Sequence, residues 1–71
     1  MSKYGIMSYT QRKAFSNVLC NTIDLLYRNQ PERLDMHYDL VDAWVRGEAH
    51  TLSDEEITSL EKLILRATGM D

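Results

Sequence analysis

The sequence is poor in cysteine and glycine, and each shortage excludes a class of protein. Its one cysteine, Cys20, cannot form an internal disulfide, so we expect a protein of a reducing compartment. Three glycines in 71 residues leave no glycine-rich loop that could hold a phosphate group. An enzyme that acts on nucleotides is therefore not expected.

Long apolar runs are also missing. No segment approaches the roughly 18 consecutive apolar residues of a membrane-spanning helix. The N-terminal residues lack the apolar run, about 7 to 15 residues long, of a secretory signal peptide. Together with the single cysteine, these features predict a cytoplasmic protein.

Positive charge is scarce as well. Eight lysines and arginines stand against eleven aspartates and glutamates, which gives a net charge of −3 and an isoelectric point near 5.2. A protein that binds nucleic acid or an anionic membrane displays a basic face to the phosphates. The basic residues of this chain are scattered, so we expect neither nucleic-acid binding nor membrane binding.

The sequence does contain the composition of a folded protein and the period of helices. Hydrophobic residues make up 44% of the chain and charged residues 27%, which is ordinary for globular proteins and too apolar for disordered ones. The apolar residues recur at the spacing of α-helices. We predict a single all-α domain over residues 1–71, a small three-helix bundle with helices at about 10–29, 31–46 and 53–68 and an N-terminal arm of residues 1–8.

The first predicted helix carries an apolar face about 160° wide when each residue turns the helix by about 100°. Ser8 or Thr10 is the expected N-cap. Because Cys20 and Tyr27 extend the apolar side further, we predict that this helix lies at the centre of the bundle. The apolar face consists of Phe15, Val18, Leu19, Thr22, Ile23, Leu25 and Leu26.

Pro31 separates the first two helices. Proline disfavours the helical conformation at Gln30 and suits the first turn of the helix that follows. Gly47 is the expected left-handed residue after the second helix, and Asp42 and Arg46 have the four-residue spacing of a surface ion pair. So short a connection predicts that the two helices pack as antiparallel neighbours.

Residues 28–34 have the sequence Arg-Asn-Gln-Pro-Glu-Arg-Leu and are followed by an aromatic residue, Tyr38. This segment resembles a short interhelical segment of the theta subunit of bacterial DNA polymerase III, a small three-helix accessory protein. The resemblance covers about a tenth of the 71 residues. No function and no binding residue is transferred from it.

The third predicted helix has the clearest start. Ser53 and Glu56 have the spacing of a capping box, and Leu52 and Ile57 have that of a hydrophobic staple. Gly69 is the expected end of this helix. Its apolar stripe, about 120° wide, consists of Ile57, Leu60, Leu63, Ile64 and Ala67.

Residues able to bind metals or to catalyse reactions are few and form no known motif. His37, His50 and Cys20 lie on three different elements, without the spacing of metal-binding motifs. His37 falls beside Trp44 at the edge of an apolar face, where we expect one hydrogen-bonded ring nitrogen. We predict a non-enzymatic protein without a metal or cofactor.

The second predicted helix has more apolar surface than a three-helix bundle is expected to cover. Its expected core positions are Leu34, Tyr38, Val41 and Val45. Beside them lies a second apolar flank that consists of Met36, Leu40, Ala43 and Trp44. An exposed patch that includes tryptophan and methionine is typical of a contact surface. The alternative is that the N-terminal arm folds back over this flank with Tyr4, Ile6 and Met7.

Carboxylates recur along another side of the second helix, at Glu32, Asp35, Asp39 and Asp42. Such a stripe is usually a solvated face, but it can also meet a basic surface of another protein. The predicted partner-binding residues are therefore Trp44, Leu40, Met36, Asp35, Asp39 and Asp42.

Two functions fit these features. The favoured one is a small regulator that binds another protein, as an inhibitor or accessory subunit of the kind frequent in phages and mobile elements. The alternative is a homo-oligomer that holds a nucleotide-like ligand between its subunits. The residues that would stack on or grip this ligand are Tyr27, Arg28, Arg33 and Trp44.

Overall fold

The computed structural model describes residues 7–69, which form a bundle of three α-helices. α1 spans Tyr9–Tyr27, α2 spans Pro31–Val45 and α3 spans Asp54–Thr68. A short 3₁₀ turn at Ala49–Thr51, which the sequence does not predict, precedes α3. The described part of the chain has no strand, and none of its helices combines the length and apolar character needed to cross a bilayer. The three-helix prediction is confirmed.

α1 begins with a capping box. The backbone N–H of Gln11 donates to Ser8 Oγ over 3.2 Å, and the N–H of Ser8 donates to Gln11 Oε1 over 2.9 Å. Ser8, one of the two predicted N-caps, thus satisfies an N–H group that the helix itself leaves unpaired. Met7 packs against the core, whereas Tyr4 and Ile6 of the predicted arm lie outside the described residues.

The connection from α1 to α2 takes residues 28–30. α1 ends two residues earlier than predicted, because Gln30 adopts a non-helical conformation (φ −132°, ψ 76°) before Pro31. α2 then runs back along α1. Arg12 Nε donates to the carbonyl oxygen of Val45 over 3.2 Å, which joins the start of α1 to the end of α2.

α2 ends in a Schellman motif. Gly47 has φ +78°, and its N–H donates to the carbonyl oxygen of Trp44 over 3.1 Å. The N–H of Glu48 donates to the carbonyl oxygen of Ala43 over 2.8 Å. These bonds satisfy two carbonyls that the helix leaves unpaired. The predicted left-handed position of Gly47 is confirmed.

α3 also starts as predicted. Ser53 Oγ accepts from the N–H of Glu56 over 3.2 Å, and Glu56 Oε1 accepts from the N–H of Ser53 over 2.8 Å. Gly69 ends α3 with φ +73°. The predicted apolar stripe faces the core, where Leu60, Leu63 and Ile64 are buried.

Each helix contacts both of the others, so three helix interfaces meet in one core. The fully buried side chains are Leu19 and Ile23 of α1 and Leu40 of α2, which supports the predicted central place of α1. The buried core consists of Leu19, Ile23, Leu40, Val41, Trp44, Val45, Leu60, Leu63 and Ile64.

Two residues of the predicted apolar face of α1 lie on the surface instead. Val18 is 42% exposed and Leu25 is 72% exposed, so the prediction that they belong to the core face is wrong. Leu25 follows Ile23 by two residues, which is about 200° around the helix axis. The two side chains therefore point to nearly opposite sides, and the core takes the side of Leu19 and Ile23.

Replacing Leu19 by alanine is expected to lower the free energy of unfolding by roughly 2–5 kcal/mol. The side chain has no exposed surface, so both the lost burial and the new cavity destabilise the fold. Leu25→Ala deletes the same atoms from an exposed side chain, and its effect should stay within about 0.5 kcal/mol. Urea unfolding followed by circular dichroism measures both losses. Equal losses would contradict the assignment of the core face of α1.

Candidate functional site

The apolar flank that the sequence predicts as a binding surface lies mostly in the core. Leu40 is 1% exposed and Trp44 is 6% exposed, so the expectation that these two side chains lie on an exposed flank is wrong. The physical reason is that α2 packs against both α1 and α3. A helix with two neighbours buries a wider arc than the one assigned from the sequence. Of the predicted flank, Met36 stays on the surface with 41% exposure.

Trp44 packs edge-on against Phe15 of α1. The ring centroids are 6.1 Å apart and the ring planes meet at 73°, a favourable geometry for an aromatic pair. A tryptophan held in this way cannot stack on a ligand between two subunits. Tyr27, the other aromatic residue of that alternative, already stacks on His37 with ring centroids 4.3 Å apart. The aromatic clamp of the ligand-binding oligomer is therefore not formed by Trp44.

The carboxylates of α2 lie on the surface, as the sequence predicts. Asp42 Oδ2 is 2.9 Å from Arg46 Nη2, and Arg46 Nη1 is 4.0 Å from a carboxylate oxygen of Glu48. The predicted surface pair is thus confirmed. No other ion pair joins two residues of the segment 7–69. We use the name acidic face for the exposed side of α2 formed by Glu32, Asp35, Met36, Asp39 and Asp42.

The acidic face carries repulsion that the bundle itself does not relieve. Asp35 and Asp39 are four residues apart, and like charges at this spacing destabilise a helix by about 0.2–0.5 kcal/mol. Glu32 gains from the positive end of the helix dipole in the first turn of α2, but that effect fades within one turn. A surface of opposite charge would offset the repulsion between Asp35 and Asp39.

His37 is a buried residue whose ring is held by a hydrogen bond to the backbone. It is 5% exposed, which is deeper than the edge position predicted from the sequence. Its Nδ1 lies 2.7 Å from the carbonyl oxygen of Arg33. Because a carbonyl oxygen can only accept, Nδ1 carries a proton, and Nε2 is the acceptor in the neutral ring. The prediction of one hydrogen-bonded ring nitrogen is confirmed.

A hydrogen bond between Tyr38 and Asp24 links α2 to α1. The Tyr38 hydroxyl donates to Asp24 Oδ1. This bond, followed by burial and by the charge of Asp24, raises the pKa of Tyr38 to about 12. Burial first, and then the charge of Asp24, also raise the pKa of the Cys20 thiol. A protonated thiol is a poor nucleophile and metal ligand, so Cys20 acts as a packing residue.

The candidate metal-binding and acid–base residues of the described part of the chain lie apart from one another. Within residues 7–69, no three histidine, cysteine or carboxylate side chains come close enough to hold a metal ion. His37, His50 and Cys20 remain on three separate elements. The carboxylates of the acidic face are exposed, so nothing desolvates them in the way a general acid or base requires.

The sequence reasoning missed one exposed apolar pair. Val18 and Leu25 are seven residues apart, which places both on one side of α1. The sequence alone does not separate them from the core positions, because the apolar arc of α1 is wider than the face that the bundle buries. Their exposure adds nonpolar area to the surface of α1, and neither side chain carries a polar or reactive group.

No protein-family model, no curated protein and no solved structure matches this chain. The functional assignment therefore rests on the surface geometry described above. Its strongest feature is the acidic face, where Asp35 and Asp39, which form no ion pair within residues 7–69, lie on one helix with the exposed Met36.

Tyr38 is expected to lose its proton near pH 12, because a phenolate would lie against the carboxylate of Asp24. Ultraviolet absorbance of tyrosinate measures this ionisation. The Tyr38→Phe variant identifies its share of the signal among the four tyrosines. Asp24→Asn should return the pKa of Tyr38 toward 10.0.

The raised pKa of Tyr38 also makes the stability of the fold depend on pH. The folded state holds the Tyr38 proton more tightly than the unfolded state, whose pKa is near 10.0. The stabilisation is therefore complete below pH 10.0 and is lost as the pH rises through about 12. A tyrosine titration that Asp24→Asn leaves unchanged would contradict the assigned hydrogen bond.

Proposed function

We propose that this chain is a non-catalytic protein that binds a second protein through the acidic face of α2. The observation that carries the proposal is that Asp35 and Asp39 lie exposed beside Met36 and form no ion pair within residues 7–69. The role is that of an inhibitor or accessory regulator, the kind frequent in phages and mobile elements. A cytoplasmic setting accords with the lone, protonated Cys20.

Met36 supplies the nonpolar part of this surface. Its side chain is 41% exposed, and a methionine adapts to an irregular partner surface because it is unbranched and polarizable. Methionine is also enriched in protein interfaces. The partner that fits this face has a small apolar depression bordered by lysine or arginine side chains.

The charge of the acidic face should mainly affect the rate at which this interface forms. The net charge of −3 draws a basic protein toward the chain over long range. Exposed charges at an interface act mainly on the association rate, and salt screens them. Binding should therefore slow as the ionic strength rises, with smaller effects on dissociation.

The test compares two double variants that remove the same charge. Asp35→Asn/Asp39→Asn neutralises the acidic face, and Glu55→Gln/Glu61→Gln neutralises two exposed carboxylates of α3. A tagged chain captures its partner from cells that produce the protein, and mass spectrometry identifies that partner. A biosensor then measures the association rate of each variant at several salt concentrations.

Neutralising the acidic face is expected to slow association roughly tenfold and to flatten its salt dependence. The α3 control should associate like the parent. Relief of the repulsion between Asp35 and Asp39 should slightly stabilise the fold, by about 0.2–0.5 kcal/mol, which separates the binding defect from unfolding. Equal association rates for the two double variants would contradict the proposal.

A second pair of variants tests the nonpolar contact. Met36→Ala should speed dissociation, because it removes a side chain from the centre of the proposed interface. Leu65→Ala is its control, since Leu65 is 39% exposed on α3, away from the acidic face. Faster dissociation in both variants alike would place the nonpolar contact elsewhere.

A further inference from the structure

An open cavity of about 220 Å³ lies where the end of α1, the first half of α2 and the second half of α3 meet. Its apolar wall is formed by Leu26 of α1 and Leu63 of α3. Tyr27 adds an aromatic ring, and that ring is held in place by its stacking on His37. The cavity is smaller than the roughly 300–1,000 Å³ of sites for drug-sized ligands.

Positive charge gathers at this cavity in an otherwise acidic chain. Lys62 and Arg66 both line it and are four residues apart on α3, so their side chains are neighbours. Among residues 7–69, no carboxylate residue lines the cavity, although acidic residues outnumber basic ones by eleven to eight in the whole sequence. Lys62 takes part in no ion pair within residues 7–69.

Two further polar groups complete the lining. Ser59 supplies a hydroxyl from the same side of α3, one turn before Lys62. His37 supplies an imidazole whose Nδ1 is already bonded to the carbonyl oxygen of Arg33. Its Nε2 is therefore the ring nitrogen that remains for a ligand in the cavity.

We propose that this cavity binds a small phosphomonoester that carries one ring or a short apolar group. The phosphate lies between Lys62 and Arg66, with the Ser59 hydroxyl as a donor. A phosphomonoester has a charge of about −1.5 to −2 at neutral pH, which matches two cations better than a carboxylate does. The apolar part of the ligand packs on Leu26, Leu63 and Tyr27.

This site is separate from the acidic face. None of the residues of the acidic face lines the cavity, so failure of one proposal does not decide the other. The volume of about 220 Å³ suits a ligand of about one phosphate and one ring. A nucleotide held between two subunits is thus a different site from the one proposed here.

The test is an NMR titration of the full chain with three probes: phenyl phosphate, inorganic phosphate and phenol. Phenyl phosphate should shift the amide signals of Tyr27, His37 and the segment 59–66 in a saturable way. Inorganic phosphate should shift the same signals with weaker affinity, and phenol should not bind. Lys62→Gln and Arg66→Gln should each weaken phenyl phosphate binding roughly tenfold or more, the loss expected for a charged hydrogen bond.

Lys13→Gln is the matched control, because it removes an exposed lysine of α1 that does not line the cavity. Its affinity for phenyl phosphate should equal that of the parent. Shifts that do not saturate, or an equal loss in Lys13→Gln and Lys62→Gln, would overturn the site. Inorganic phosphate that binds as tightly as phenyl phosphate would overturn the ester assignment and indicate a site for free phosphate.

Discussion

The packing of Trp44 against Phe15 fixes the rotation of α2 about its own axis, and the rest of the structure depends on that rotation. A buried aromatic side chain removes about 150–250 Å² from water, which corresponds to roughly 4–6 kcal/mol at about 25 cal/mol per Å². Repulsion between the exposed carboxylates of α2 amounts to only a few tenths of a kcal/mol per pair. The core therefore sets the rotation, and the acidic face is what this rotation leaves in solvent. The same rotation brings His37 to Tyr27 at the cavity.

The element boundaries could be predicted because their signals are local. Pro31, Gly47 and the capping box of Ser53 with Glu56 act through their own backbone or through partners three residues away. The rotation of α1 and α2 could not be predicted in the same way. Both helices have apolar arcs wider than the buried face, as the 72% exposure of Leu25 shows. Only the positions of the neighbouring helices decide which part of such an arc is buried.

The candidate sites also differ in whether the sequence alone could predict them. The acidic face could be predicted, because charged residues on one side of a helix face solvent in almost any packing arrangement. The sequence places Leu40 and Trp44 on the surface because it does not show how wide an arc of α2 the two neighbouring helices cover. The cavity has no sequence signal, since three helices contribute to it. The negative ligand proposed for the cavity and the basic partner proposed for α2 have opposite charges, so the two proposed surfaces would select different molecules.

Trp44 belongs to the core, so α2 presents its acidic face and not its tryptophan to solvent. Trp44 is the one tryptophan of the chain, and quenching of its fluorescence by iodide measures its exposure directly. With 6% of the side chain exposed, the native protein should show blue-shifted emission that iodide hardly quenches, and quenching should become efficient only after unfolding in urea. Native quenching as efficient as that of the unfolded chain would contradict the burial of Trp44 in the core.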